Sequence, residues 1–198
     1  KYDAEGGAGV INIKTKKGTI RAFNGNVDLN YIQGLYPKYN GGANINYRNN
    51  KLNVFGSYNG GVWESFGTMA INRNFYKDGA FSDSSAQITN RKNDNEWHNA
   101  RVGMDYYFTD NTVAGIVIRG GISEWEGNNK SISNLYGADK TLRSILASEG
   151  NNSGRSKNIN INGNYKHTFD SLGKEMTADL DYGYYDDQGK NLLITRAL

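Results

Sequence analysis

Cysteine is absent from these 198 residues, and proline occurs once, at Pro37. Without cysteine there is no disulfide framework and no thiolate metal site. Long apolar runs are missing as well: no stretch approaches the roughly 18 residues that a membrane helix needs. Any membrane span in this chain must therefore be made by strands. Charge of one sign is not concentrated anywhere, because the net charge of +3 comes from interspersed Lys, Arg, Asp and Glu. That pattern offers no basis for nucleic-acid binding. Histidine is limited to His98 and His167, which fall in separate alternating segments with no spacing that suggests a shared metal. Neither a Ser, His and carboxylate set nor a carboxylate pair stands at a strand rim. Asp179 and Asp181 share a face with Glu175 at the spacing of a solvated wall, and Asp186-Asp187 reads as a solvated loop pair. No catalysis, cofactor or metal is expected.

What is present is an unusual mixture. The chain has 25 Gly and 14 Tyr, recurrent Asn, 12% aromatic residues and a mean hydropathy of −0.72. Hydropathy that low suggests a weak core, yet disordered chains are poor in aromatics. A sheet with one face toward lipid and the other toward water has this composition.

Strict period-2 alternation runs through the sequence. Phe23, Gly25, Val27, Leu29 and Tyr31 share one face, with Asn24, Asn26, Asp28 and Asn30 on the other. Tyr39 to Tyr47 repeats the pattern, Leu52 to Tyr58 does so less cleanly, and Ala100 to Phe108 and Ala114 to Ile122 follow. The clearest examples are Ile159 to Phe169 and Met176 to Tyr184. Each segment is a strand with one dry and one wet face. Asn49-Asn50, Thr109 to Asn111 and Asp170 to Gly173 are expected as tight hairpin turns. The intervening connections are Gly34 to Lys38, then loops of about thirty residues each around Gly61 to Arg91 and Glu126 to Arg155, and an unfinished one after Tyr185. Short turns alternating with long loops are the asymmetry of an outer-membrane barrel.

The first eighteen residues, KYDAEGGAGVINIKTKKG, join an acidic glycine-broken turn to a short β-branched run with a basic exit. This stretch resembles the end of the plug domain in TonB-dependent outer-membrane receptors of the Bacteroidetes type, whose last plug strand reads like GGVINI(x)TKK before the barrel begins. The resemblance rests on Tyr2, Asp3, Gly6, Gly9, Val10, Ile11, Asn12 and Ile13, and implies a structural plug strand and hinge rather than a ligand site. It implies two segments: residues 1–18 as the C-terminal end of the plug, and residues 19–198 as the N-terminal part of an incomplete barrel. If the chain leaves a periplasmic plug, the first strand runs outward and every later connector has the length its side predicts. Tyr31, Tyr39, Tyr58 and Tyr184 then mark an outer aromatic rim, and Phe23, Tyr47, Phe108 and Phe169 a periplasmic one.

The expected fold is all-β: an antiparallel transmembrane β-barrel segment of about seven to eight strands, cut from a larger barrel of roughly 22 strands that holds the plug, and preceded by the last plug strand. The function implied is import. An extracellular nutrient binds outside, and inner-membrane energy relayed by TonB with ExbB and ExbD, through a segment preceding this chain, moves it into the periplasm. The partners implied are outer-membrane lipid and lipopolysaccharide, TonB, and an extracellular ligand. Trp63, Phe66, Trp125 and Tyr136, placed in the long loops, are candidate ligand contacts that serve equally well as packing between loops. Two other readings stay open: a non-transporting outer-membrane adhesin or assembly barrel, and a soluble secreted β domain.

Overall fold

In the computed structural model residues 21–170 and 173–198 are described, and they form one antiparallel sheet of seven strands with no helix. The strands are β1 (Ala22–Gln33), β2 (Pro37–Arg48), β3 (Leu52–Lys77), β4 (Ala80–Thr109), β5 (Thr112–Gly137), β6 (Leu142–Thr168) and β7 (Glu175–Ala197). Each pairs with its sequence neighbour, so the order across the sheet is the order along the chain. Among the described residues β1 pairs only with β2 and β7 only with β6, which leaves the sheet open. The plug-like residues Tyr2, Asp3, Gly6, Gly9, Val10, Ile11, Asn12 and Ile13 lie outside the described residues.

All seven alternating segments are strands. The long connectors differ from the expectation, because residues around Gly61 to Arg91 and Glu126 to Arg155 are paired strand arms and not loops, and the chain after Tyr185, Asp186-Asp187 included, continues as β7. The β3–β4 register continues unbroken from Trp63↔Asn95 to Phe75↔Asp83, where a bulge precedes the turn at Asp78-Gly79. β5 and β6 continue likewise from Trp125↔Gly154 to Leu135↔Ser144. The arms escaped a periodicity reading because both of their faces mix polar and apolar residues; the ladder hydrogen bonds hold them without a hydrophobic alternation. β4 reaches 30 residues, against a usual strand of about 5–6.

Register turns the separate alternations into one surface. Residues directly opposite in a ladder share a face, so Phe23, Tyr47, Val54, Met104, Ile116, Gly163 and Leu180 form one row. On this face the run from Phe23 to Tyr31 on β1, Leu52 to Val62 on β3, Ala114 to Ile122 on β5 and Met176 to Tyr184 on β7 contains no Asp, Glu, Lys or Arg. It is a stripe of apolar and aromatic side chains that no other described residue covers; Leu29 is 84% exposed and Leu180 78%.

The stripe crosses the sheet obliquely. Phe23 traces through the register to Leu180, yet the apolar run on β7 begins four residues lower, at Met176. Its upper end falls by the same amount, since Tyr184 traces back to Val27 and not to Tyr31. The drop is about 13 Å over strand spacings totalling about 29 Å, a slope of roughly 25°.

Candidate ligand-facing surface

Immediately above the stripe, on the same face, the side chains become charged. Val62 is followed by Glu64, His98 by Glu96 and Asp94, Ile122 by Glu124 and Glu126, Ile159 by Lys157 and Arg155, and Tyr184 by Asp186. Opposite charges on neighbouring strands pair across this belt. Arg155 Nε on β6 lies 2.9 Å from Glu124 on β5, and Lys92 Nζ on β4 lies 3.4 Å from Glu64 on β3, with Asp94 of its own strand at 3.3 Å. The Asp94 hydrogen bond, helped by Glu64, holds the Lys92 ammonium above its ordinary pKa. Higher on the arms, the Lys130 hydrogen bond at 2.9 Å holds Glu149 below the usual carboxylate range. The belt is a set of solvated cross-strand pairs, each of which contributes little stability by itself.

The opposite face is polar and dominated by asparagine. Asn30 donates to Asn40 (2.8 Å), Asn46 to Asn53 (3.0 Å), Asn53 to Asp105 (3.0 Å) and Asn162 to Asp181 (2.8 Å). Each amide carries both donors and an acceptor, so these bonds run from strand to strand and leave further capacity for water or a ligand.

All three tryptophans of the chain stand on this polar face. Trp63 on β3 and Trp125 on β5 both flank Asn95 of β4, and Trp97 occupies the next row on β4, opposite Gly61. Trp97 and Trp125 each face a glycine. A Cβ on Gly154 would lie 2.5–2.9 Å from three atoms of the Trp125 indole, and one on Gly61 would lie 2.8 Å from the Trp97 ring. The rings occupy the space where a neighbour's side chain would begin, so they lie low across the sheet and cover exposed glycine backbone. Phe55 lies over Gly103 in the same way, with the Arg101 guanidinium 4.9 Å above its ring. Trp63 is held from above instead, by Lys38 Nζ at 4.0 Å from its ring centre.

Of the four aromatic residues that the sequence points to, the structure brings together two. Trp63 and Trp125 share the polar face, on strands. Phe66 is on the other face opposite Lys92; its ring meets Tyr36 of the β1–β2 turn edge-on at 6.0 Å, with Lys92 Nζ 5.0 Å from the Tyr36 ring. That is a packing contact. Tyr136, the residue before the end of β5, stands opposite Ser84, at a bulge in the β5–β6 register and far along the arm from the tryptophans. Trp97 was missed, although its parity with Trp125 and Trp63 is readable once the strands are known to continue. His98 and His167 each have a local partner: His98 Nδ1 lies 2.7 Å from the Tyr58 hydroxyl, and His167 Nδ1 lies 2.8 Å from the Thr112 hydroxyl. No family model matches this chain, and a comparison with curated proteins finds no match either.

Proposed function

We propose that this chain is the first part of the barrel wall of a TonB-dependent outer-membrane receptor, preceded by the end of its plug, and that the complete protein imports an extracellular nutrient. The observation that carries this reading is the oblique apolar stripe. A soluble sheet covers its apolar face with a second layer. Here the face is open, uncharged over spans of nine to eleven residues on the strands, and bordered by ion pairs. From Phe23 to Tyr31 a strand rises about 26 Å, or about 24 Å at a tilt equal to the stripe's slope of roughly 25°, close to the apolar band of roughly 25 Å of membrane barrels. A level belt drawn on tilted strands must step across the register, as this stripe does. The Asn-rich face is then the wall of the water-filled interior, and the arms of β3–β7 rise outside the membrane.

Because the chain has no cysteine, single-cysteine variants of the full gene product in its outer membrane give a direct test. Val27→Cys and Leu180→Cys are expected to carry nitroxide labels that oxygen reaches and a water-soluble relaxant does not, while Asn160→Cys behaves oppositely. Equal access of the aqueous relaxant to all three would refute a lipid-facing stripe. Uptake that persists after the inner-membrane proton gradient is collapsed would refute the importer.

A further inference from the structure

We infer that Trp97 and Trp125, with Asn95 between them, form a stacking platform for a neutral saccharide. The inference rests on the receptor reading above, which makes this face the wall of an open interior.

Three observations converge. The two residues are diagonal neighbours on β4 and β5, and their indoles lean apart, Trp97 toward Gly61 of β3 and Trp125 toward Gly154 of β6, so the rings flank Asn95 at two to three strand spacings, roughly 10–14 Å, a gap that a chain of several linked sugar rings bridges. Both lie low over Gly61 and Gly154; Trp125 is 46% exposed and Trp97 is half-buried, so Trp125 presents the more open ring face. The C–H face of a pyranose stacks on such a surface, because an indole is a broad apolar plate beside a polar rim. The surroundings are neutral. In the two rows that carry the indoles, every position from β3 through β6 is Trp, Asn, Ser or Gly. Charge enters these rows only at their margins, at Lys38 on β2, already stacked on Trp63, and at Asp187 on β7, which accepts a hydrogen bond from Ser156. Asn95 makes no side-chain hydrogen bond among the described residues, so its amide donors and acceptor are free for hydroxyl groups at the level of the stacked rings. Trp63, 39% exposed and already covered by Lys38, closes one side. An apolar ligand would leave the Asn and Ser groups facing it unpaired.

The test uses the full-length protein in detergent and titration calorimetry with maltoheptaose, cellohexaose and mannohexaose as neutral probes, and oligogalacturonate of similar length as the acidic comparison. At least one neutral probe is expected to bind, and the galacturonate at least tenfold more weakly. Trp97→Ala and Trp125→Ala should each weaken binding tenfold or more. Phe66→Ala, on the other face, should leave it unchanged. Should an alanine variant fail to fold, the Trp97→Phe and Trp125→Phe pair keeps an aromatic cover over the glycines and is expected to lose at least threefold. A folded protein that binds none of the neutral probes, or tryptophan variants that bind like the parent, would overturn the inference and leave the indoles as covers for glycine backbone. Binding by purified protein without energy-dependent uptake in cells would defeat the importer and leave the platform standing; energy-dependent uptake of a compound indifferent to Trp97 and Trp125 would do the reverse.

Discussion

The Tyr58 hydroxyl and Nδ1 of His98 meet at 2.7 Å on the apolar face, at the upper edge of the stripe. Nε2 of the same imidazole lies 2.9 Å from Glu96. A carboxylate only accepts, so Nε2 carries a proton, and in the neutral imidazole Nδ1 accepts from the tyrosine. A chain of three side chains thus joins the last aromatic of the stripe to the first carboxylate of the charged belt. Gly60, directly opposite His98, leaves room for it.

The room is tight enough to test. A Cβ at Gly60 would lie 2.8 Å from the Tyr58 hydroxyl, 2.9 Å from His98 Nδ1 and 2.9 Å from the Trp97 carbonyl oxygen, which is backbone and cannot swing aside. Gly60→Ala is expected to destabilise the folded protein by about 1–3 kcal/mol. At Gly163 a Cβ meets nothing within 4 Å, and Gly163→Ala is expected to be neutral or stabilising by up to about 1 kcal/mol, through the less flexible unfolded chain. Urea unfolding of both variants in lipid measures the difference; equal shifts would contradict the account.

A charge placed mid-stripe should be costly. Val27 and Leu180 are the central residues of the runs on β1 and β7. Val27→Arg and Leu180→Arg are each expected to cost about 2–4 kcal/mol in a bilayer, whereas Asn160→Arg, on the polar face, should cost well under half of that. The readout is the folding equilibrium in vesicles, and comparable losses at all three sites would argue against lipid on the apolar face.

The β3–β4 turn depends on its dipeptide. Asp78 and Gly79 both have positive φ, 51° and 80°, the signature of a two-residue type I′ hairpin. A side chain in that region costs about 1–2 kcal/mol, so Gly79→Val should loosen the tip of the arms, while Asp78→Gly should leave it closed. Amide exchange at Tyr76 and Phe81, whose rings meet edge-on at 6.1 Å across the tip, is expected to rise in the first variant only.

Acid should open the β5–β6 turn late. The Thr141 hydroxyl and backbone amide donate to Asp139 at 2.6 Å and 3.1 Å, and these bonds hold its carboxyl below the usual carboxylate range. A depressed folded pKa contributes stability that is fully present above the ordinary carboxylate pKa and is lost as pH falls through the depressed value. Following the Asp139 carboxyl by NMR, Thr141→Val is expected to move its titration upward, and no movement would rule out the hydroxyl as the cause.

How much of this was legible in the chain differs by feature. The strands around Val27, Ile161 and Leu180 announce themselves because their two faces meet different media, so hydrophobicity alternates. The arms give no such signal, although the Asp78-Gly79 dipeptide between Tyr76 and Phe81 is a local hairpin mark, and reading it would have replaced the first long loop with paired strands. Trp63 and Trp125 stood out by residue type alone. Phe66 stood out for the same reason and proved to pack on Tyr36. Type says nothing about which face a residue takes once the alternation is lost.

Local chemistry alone determined the number of strands, the tight turns at Asn49-Asn50 and Thr109 to Asn111 and the side on which each stripe residue sits, because a strand's period of two is a property of the backbone next door. Only the paired sheet decided the register, and with it the slope of the stripe, the belt of cross-strand ion pairs and the placing of Trp97 over Gly61 of β3 and Trp125 over Gly154 of β6. Register is a non-local quantity: it is set by ladder hydrogen bonds and turn geometry between segments many residues apart, and a slip of one residue would send every side chain of a strand to the opposite face.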